Sequence, residues 1–187
     1  MVPETSTKLT YDDYVLMPDD GRRHEIIDGE HYVTLSPVTK HQLVSRNLEY
    51  LLIDFLRGHP LGEIFDAPYD VVFSETDVVQ PDIVYVSNDR KGIITEKNIR
   101  GVPDLVVEIL SESTRKTDEI TKRKLYERFG VVEYWIADPV LDTIKVYRRR
   151  ETSFERIADL SLEAGDSLST PLLPGFEVPL TRIFDSL

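Results

Sequence analysis

The sequence predicts an α/β (α+β) protein: a mixed β-sheet with helices packed on it and additional β-hairpins. Three observations carry this. Strand-like apolar runs lie on both sides of two long amphipathic segments, turn dipeptides separate several of those runs, and no repeat, low-complexity tract or long linker divides the 187 residues. The chain is therefore read as one domain, 1–187. Its 41% hydrophobic and 30% charged residues are a globular mixture that can bury a core, which excludes disorder.

Residues 1–8 are largely polar and expected to be frayed. Thr10 caps a predicted short helix, Tyr11 to Met17, with Asp12 and Asp13 in its first turn and Pro18 beyond it. His24 to Ile27 and Glu30 to Leu35 are predicted strands. Asp28-Gly29 between them is a two-residue hairpin signal, because both turn residues must accept positive φ. Thr39 to Arg57 is the first long helix, with Val44, Leu48, Leu51, Leu52 and Phe55 on one arc at about 100° per residue, and Gly58 and Pro60 stop it. Strands are predicted at Glu63 to Phe65, Asp70 to Phe73, Val78 to Val86 and Asp104 to Leu110. A second helix, Asp118 to Phe129, is closed by Gly130. Val132 to Ala137 and Thr143 to Arg148 are strands joined by a turn at Asp138-Pro139. The tail, with Pro171, Pro174 and Pro179, is expected to wrap the surface.

Composition narrows the chemistry. Without cysteine there is no disulfide, thiolate metal site or cysteine nucleophile. Four histidines, with no pair at ligand spacing, argue against zinc. The 22 basic and 34 acidic residues give a net charge of −12, which argues against a coat of non-specific basic DNA binding but leaves room for a nucleic-acid enzyme with a local basic groove. No apolar stretch reaches membrane-spanning length and the start lacks a signal-peptide layout, so the expectation is a cytoplasmic protein with no membrane partner. Gly-rich phosphate loops, GxSxG and HExxH are all missing from the sequence.

Two carboxylates interrupt apolar strands. Period-two alternation puts Asp82 on the face of Val84 and Val86, and Glu108 on the face of Val106 and Leu110. A core-facing carboxylate needs a partner, either an arginine or a divalent cation such as magnesium or manganese; a turn into solvent is the bland alternative. On the second helix, Asp118 and Lys122 project into the arc of Leu125, Tyr126 and Phe129, whereas Arg123, Lys124, Glu127 and Arg128 project outward. Lys122 then either pairs with Asp118 while its stem lies on the core, or aims an ammonium at Asp82 and Glu108. His41 falls on the buried arc of the first helix, in its first turn, as a structural residue or a proton-handling one. Glu25 shares a strand face with Ile27 and joins the candidates.

Together these residues resemble the metal site of the PD-(D/E)XK nuclease superfamily, and the chain more closely resembles the Uma-type family of restriction-endonuclease-like proteins. The matching pieces include Glu25-Ile26-Ile27-Asp28-Gly29-Glu30, Ser36-Pro37 with His41, and Val79-Gln80-Pro81-Asp82. Others are Pro103-Asp104-Leu105-Val106-Val107-Glu108-Ile109-Leu110-Ser111, Asp118 with Lys122, Tyr126-Glu127 and Glu133-Tyr134-Trp135. The resemblance runs from about residue 9 to 180. It departs from the superfamily motif at Leu110, where lysine is usual, and the implied substitute is Lys122 on the following helix.

The resemblance implies a restriction-endonuclease-like sheet with Asp82 and Glu108 on neighbouring strands. It implies Mg2+ (Mn2+ possible) bound by Asp82, Glu108 and the carbonyl of Ile109, and DNA as substrate. Catalytic roles fall to Asp82, Glu108, Lys122, His41 and Glu25. Arg115, Lys116, Lys122 and Arg123 are the candidate sources of positive potential. A homodimer is expected through the Thr143 to Tyr147 strand, where Ile144 and Val146 share a face, or through the proline-rich tail. The alternatives are a nuclease-fold binding module without efficient catalysis, and a hydrolase of small phosphorylated substrates with a narrow closed pocket.

Overall fold

A computed structural model describes residues 8–184. The expected fraying of residues 1–7 lies outside them. Residue 8 and its neighbours are tied down: Lys8 pairs with Asp28, and the Leu9 N–H donates to the Gly29 carbonyl at 3.0 Å. Helix α1 spans Tyr11–Tyr14 and buries no side chain, so nothing extends it to Met17. Strands β1 (Arg23–Ile27) and β2 (Glu30–Thr34) form the predicted hairpin, and Asp28 and Gly29 take φ of 53° and 77°. Helix α2 (Thr39–Gly58) buries Val44, Leu48, Leu51 and Leu52, as its spacing requires.

Strands β3 (Gly62–Asp66), β4 (Val71–Ser74), β5 (Asp77–Val79) and β6 (Ile83–Ser87) follow. The run Val78 to Val86, expected as one strand, is therefore two. Proline has no N–H to give a ladder, and the chain breaks at Gln80-Pro81-Asp82 to pass from one sheet to another. Asp82 is buried at the start of β6 rather than inside a continuous strand. After a 3-10 turn (Asn88–Ile93) come β7 (Ile99–Arg100) and β8 (Leu105–Ile109). The second long helix is not uniform. Thr117–Lys122 is a π-helical turn, and α3 (Arg123–Phe129) continues from it to Gly130, whose φ of 86° ends the helix. The chain closes with β9 (Glu133–Asp138), β10 (Thr143–Arg150), β11 (Ser153–Ser161), the ribbon β12 (Ser167–Ser169) and β13 (Glu177–Pro179), and α4 (Thr181–Phe184).

The strands make a five-stranded sheet, β2-β1-β5-β4-β7, and a six-stranded mixed sheet, β11-β10-β9-β8-β6-β3. In the larger sheet only β8 and β9 are parallel, and the helical crossover between them is the connection that parallel strands need. Alternation along β6 and β8 feeds two cores. Ile83, Tyr85, Leu105 and Val107 pack with α2, while Val84, Val86, Val106 and Leu110 pack with α3 and the smaller sheet. The fold is thus the α+β mixed sheet with flanking helices that the sequence predicted.

Two expectations are corrected. The tail does not wrap the surface: Leu168, Leu173, Phe176, Leu180 and Ile183 are buried in the α2 core. Prolines interrupt its strands without making its side chains polar. Nor does the Thr143 to Tyr147 strand offer a dimer face, because β10 is paired on both sides and Ile144 and Val146 are 1% and 2% exposed. Among the described residues no helix is long and apolar enough to cross a membrane.

Candidate functional site

The site lies where the chain crosses between the sheets. β1 supplies Arg23 and Glu25, the crossing segment supplies Gln80 and Asp82, β8 supplies Glu108, the first turn of α2 supplies His41, and the π-helical turn supplies Asp118 and Lys122. Asp82 is held from three sides. Its Oδ2 accepts the Ile109 N–H at 2.8 Å and lies 3.2 Å from His41 Nε2, and its Oδ1 accepts Arg23 Nη1 at 2.6 Å. Burial alone would raise this carboxyl, but the hydrogen bond and charge of His41, with the Arg23 guanidinium, bring it down to about 2.

Lys122 is buried, and its Nζ lies 2.8 Å from Glu25 Oε1, 3.0 Å from Glu108 Oε1 and 3.6 Å from Asp118 Oδ1. Burial opposes its charge, yet Glu108, Glu25 and Asp118 together hold it protonated well above the ordinary lysine range. Glu108 also accepts the Tyr126 hydroxyl at 2.6 Å. Its carboxyl is pushed well up, chiefly by burial, with Lys122 opposing and Asp118, Asp82 and Glu25 adding to the rise. Burial likewise raises Asp118 to about 6, against Lys122 and a Thr114 hydrogen bond. Glu25 is braced by the Gln80 N–H, which donates at 2.8 Å.

Lys122 is the last residue of the π-helical turn. A π turn shifts the phase of the residues around it, so the uniform 100° projection does not hold across 117–122. The Tyr134 hydroxyl donates to the Asp118 carbonyl at 3.1 Å, within that turn. Lys122 and Asp118 nonetheless face the site, Ile120 is 45% exposed, and Lys124 is exposed.

Five sequence-named side chains therefore meet here: Glu25, His41, Asp82, Glu108 and Lys122. The candidate cations fare differently. Arg115 is spent on Asp138 at 2.6 Å, Arg123 donates to the Glu119 carbonyl and lies over the Tyr147 ring, and Lys116 is exposed. Arg23, Gln80 and Tyr126 were not among the candidates. Arg23 is two residues before Glu25 on one face of β1, and Tyr126 is one turn after Lys122, so period two and i,i+4 spacing were the available signals.

The cavity at this centre is about 20 Å3, room for about one water-sized particle. Four carboxylates (Glu25, Asp82, Glu108, Asp118) face Arg23, Lys122 and the His41 imidazole. His41 Nδ1, Gln80 Oε1 and Asp118 Oδ1 are buried without a hydrogen-bond partner. A small divalent cation fits that volume and its carboxylate lining. Among the described residues no three His, Asp or Glu side chains converge as ligands, so a cation would depend on two carboxylates, main chain and solvent. Magnesium accepts such a donor set. The main-chain donor has a sequence cause. Ile83 pairs with Val107, and continuing that register puts Pro81, which has no N–H, beside Ile109.

Residues 11–181 match the model of the Uma2 family, described as "Putative restriction endonuclease". The chain belongs to this family. Among solved structures it is similar to a protein of Anabaena variabilis described as a "putative nuclease belonging to DUF820", with a TM-score of 0.75 and 20% identity, over 94% of this chain and 97% of that one. That likeness carries the fold. None of the curated proteins matches. Family membership agrees with the resemblance drawn from Val79-Gln80-Pro81-Asp82, Glu108 and Lys122.

Proposed function

We propose that this chain is a divalent-metal-dependent endonuclease that hydrolyses DNA phosphodiester bonds, using Mg2+ with Mn2+ as a substitute. One observation supports it above the rest: Lys122, from the helix after β8, puts its ammonium 3.0 Å from Glu108 beside an ion-sized cavity that Asp82 also lines. A lysine there makes up for Leu110 in the motif position. Asp82, Glu108 and the Ile109 carbonyl would hold the metal, which when bound supplies Lewis-acid polarisation of the phosphodiester and a more acidic water. The protein's own groups do the rest. Lys122 orients the attacking water and offsets charge developing on the phosphoryl oxygens. Glu25 and Asp118 keep Lys122 charged, Tyr126 fixes the Glu108 carboxylate, and His41 fixes Asp82 and takes up or releases a proton at Nδ1.

The reading includes a homodimer, since cutting both strands of a duplex calls for two sites. Sedimentation giving only monomer at micromolar concentration removes that part.

A binding module on the nuclease fold is the second reading. It is favoured by the engagement of both Asp82 oxygens and by the pairing of Arg115, a candidate source of positive potential, with Asp138. Calorimetric titration with Mn2+ separates the two. The nuclease reading expects saturable binding by wild type that Asp82→Ala removes, and a wild type that takes up no metal leaves the module.

A further inference from the structure

Arg23 stands at a doorway. Its guanidinium bonds the outer oxygen of Asp82, yet the side chain is 24% exposed and also lines a second cavity of about 330 Å3. The two cavities share Arg23, Thr34, Leu35, Pro37 and Gln80, so they lie side by side with Arg23 between them. The larger carries Arg22 and the hydroxyl residues Thr34 and Ser36, groups that suit phosphate oxygens, beside one carboxylate, Asp19, and the apolar faces of Leu35 and Pro37.

A divalent cation on Asp82 and a guanidinium on the same Oδ1 compete for one acceptor, and like charges that close repel. We propose that Arg23 has two stations. It caps Asp82 in the metal-free protein; when a cation takes that oxygen, Arg23 turns into the outer cavity and binds a phosphate of the DNA strand next to the scissile bond. The outer cavity is then the subsite for the flanking nucleotide. This deepens the metal-nuclease reading and rests on it. Arg23 is well suited to both stations, because a guanidinium forks equally well onto carboxylate and phosphate.

The test uses the full chain as wild type, Arg23→Ala and Arg23→Gln, the last keeping a hydrogen-bonding side chain without the charge. Circular dichroism first establishes that each variant is folded. Mn2+ affinity is measured by calorimetry, and binding of a fluorescein-labelled DNA duplex is measured by anisotropy in Ca2+ across a salt series. Loss of the competing guanidinium should tighten Mn2+ binding by about tenfold, the value of one charge-assisted hydrogen bond. The same variants should bind the duplex more weakly, with the slope of log K against log salt shallower by about 1. Unchanged or weaker Mn2+ binding overturns the first station, and an unchanged DNA salt slope overturns the second; either result leaves the metal reading standing. If neither wild type nor variants bind Mn2+, the metal reading itself fails and this inference with it.

Discussion

Replacing Lys122 with methionine should destabilise the metal-free protein by about 3–5 kcal/mol. The ammonium sits 2.8, 3.0 and 3.6 Å from three carboxylates, all of them buried. At an effective dielectric of about 20, each ion contact of that length is worth about 4–6 kcal/mol, and most of this is offset by the desolvation of the charges. Methionine keeps the stem and removes the charge, stranding carboxylates beside Arg23 alone. Breaking a buried network from one side typically costs the 3–5 kcal/mol expected here. Urea unfolding at pH 7.5 in EDTA, followed by the fluorescence of Trp135, the single and fully buried tryptophan, reads the change as a midpoint about 1–3 M lower. Lys124→Met, on the exposed face, should stay within about 0.5 kcal/mol of wild type. At pH 5 the Lys122→Met deficit should shrink, because Glu108 and Asp118 are raised and shed their charge first. A deficit under about 1 kcal/mol at pH 7.5 would refute the reasoning.

Asp118→Asn tests the same cluster through pH. Its carboxyl rises from 3.8 to about 6 on folding, so its contribution is full below pH 4 and is lost as pH rises through 6. In EDTA the stability of Asp118→Asn relative to wild type should therefore improve by about 3 kcal/mol between pH 4 and pH 7.5, measured by urea melts; a flat difference contradicts the assignment. Leu180→Ala should lower stability by about 2–5 kcal/mol, because Leu180 is fully buried on α2; a loss under 1 kcal/mol would return the tail to the surface. Gly130→Ala should cost about 1–2 kcal/mol from backbone strain at φ 86°, with its Cβ meeting only ordinary contacts to Arg149. Thermal melts check it.

Where a periodic pattern and a steric rule agreed, the fold was legible. The α2 arc, the Asp28-Gly29 turn and the Gly130 terminus all stand where spacing put them. The candidate site was legible because Glu108 and Lys122 break apolar patterns, and a charge on a buried face needs a partner. Arg23 was not, since a charged residue at the first position of a strand looks the same whether it meets solvent or reaches inward to Asp82. The break at Pro81 was visible as a proline but was overridden by the apolar residues around it. The π turn had no local signal in the apolar spacing of this segment. The tail misled for a related reason: its buried leucines are set by contact with α2, far away in sequence, rather than by a period of their own.

The most direct test of the account is cleavage of supercoiled plasmid by purified protein with Mg2+ or Mn2+ and with EDTA, using wild type, Asp82→Asn, Glu108→Gln and Lys122→Met, compared per folded molecule. The account predicts metal-dependent nicking by wild type, none in EDTA, and a loss of about 10²–10³ in Lys122→Met, the usual effect of removing one preorganised charge. The two carboxylate variants should lose activity together with Mn2+ binding, whereas Lys122→Met should still bind the metal. Nicking that survives EDTA, or that is the same in Asp82→Asn as in wild type, would contradict it.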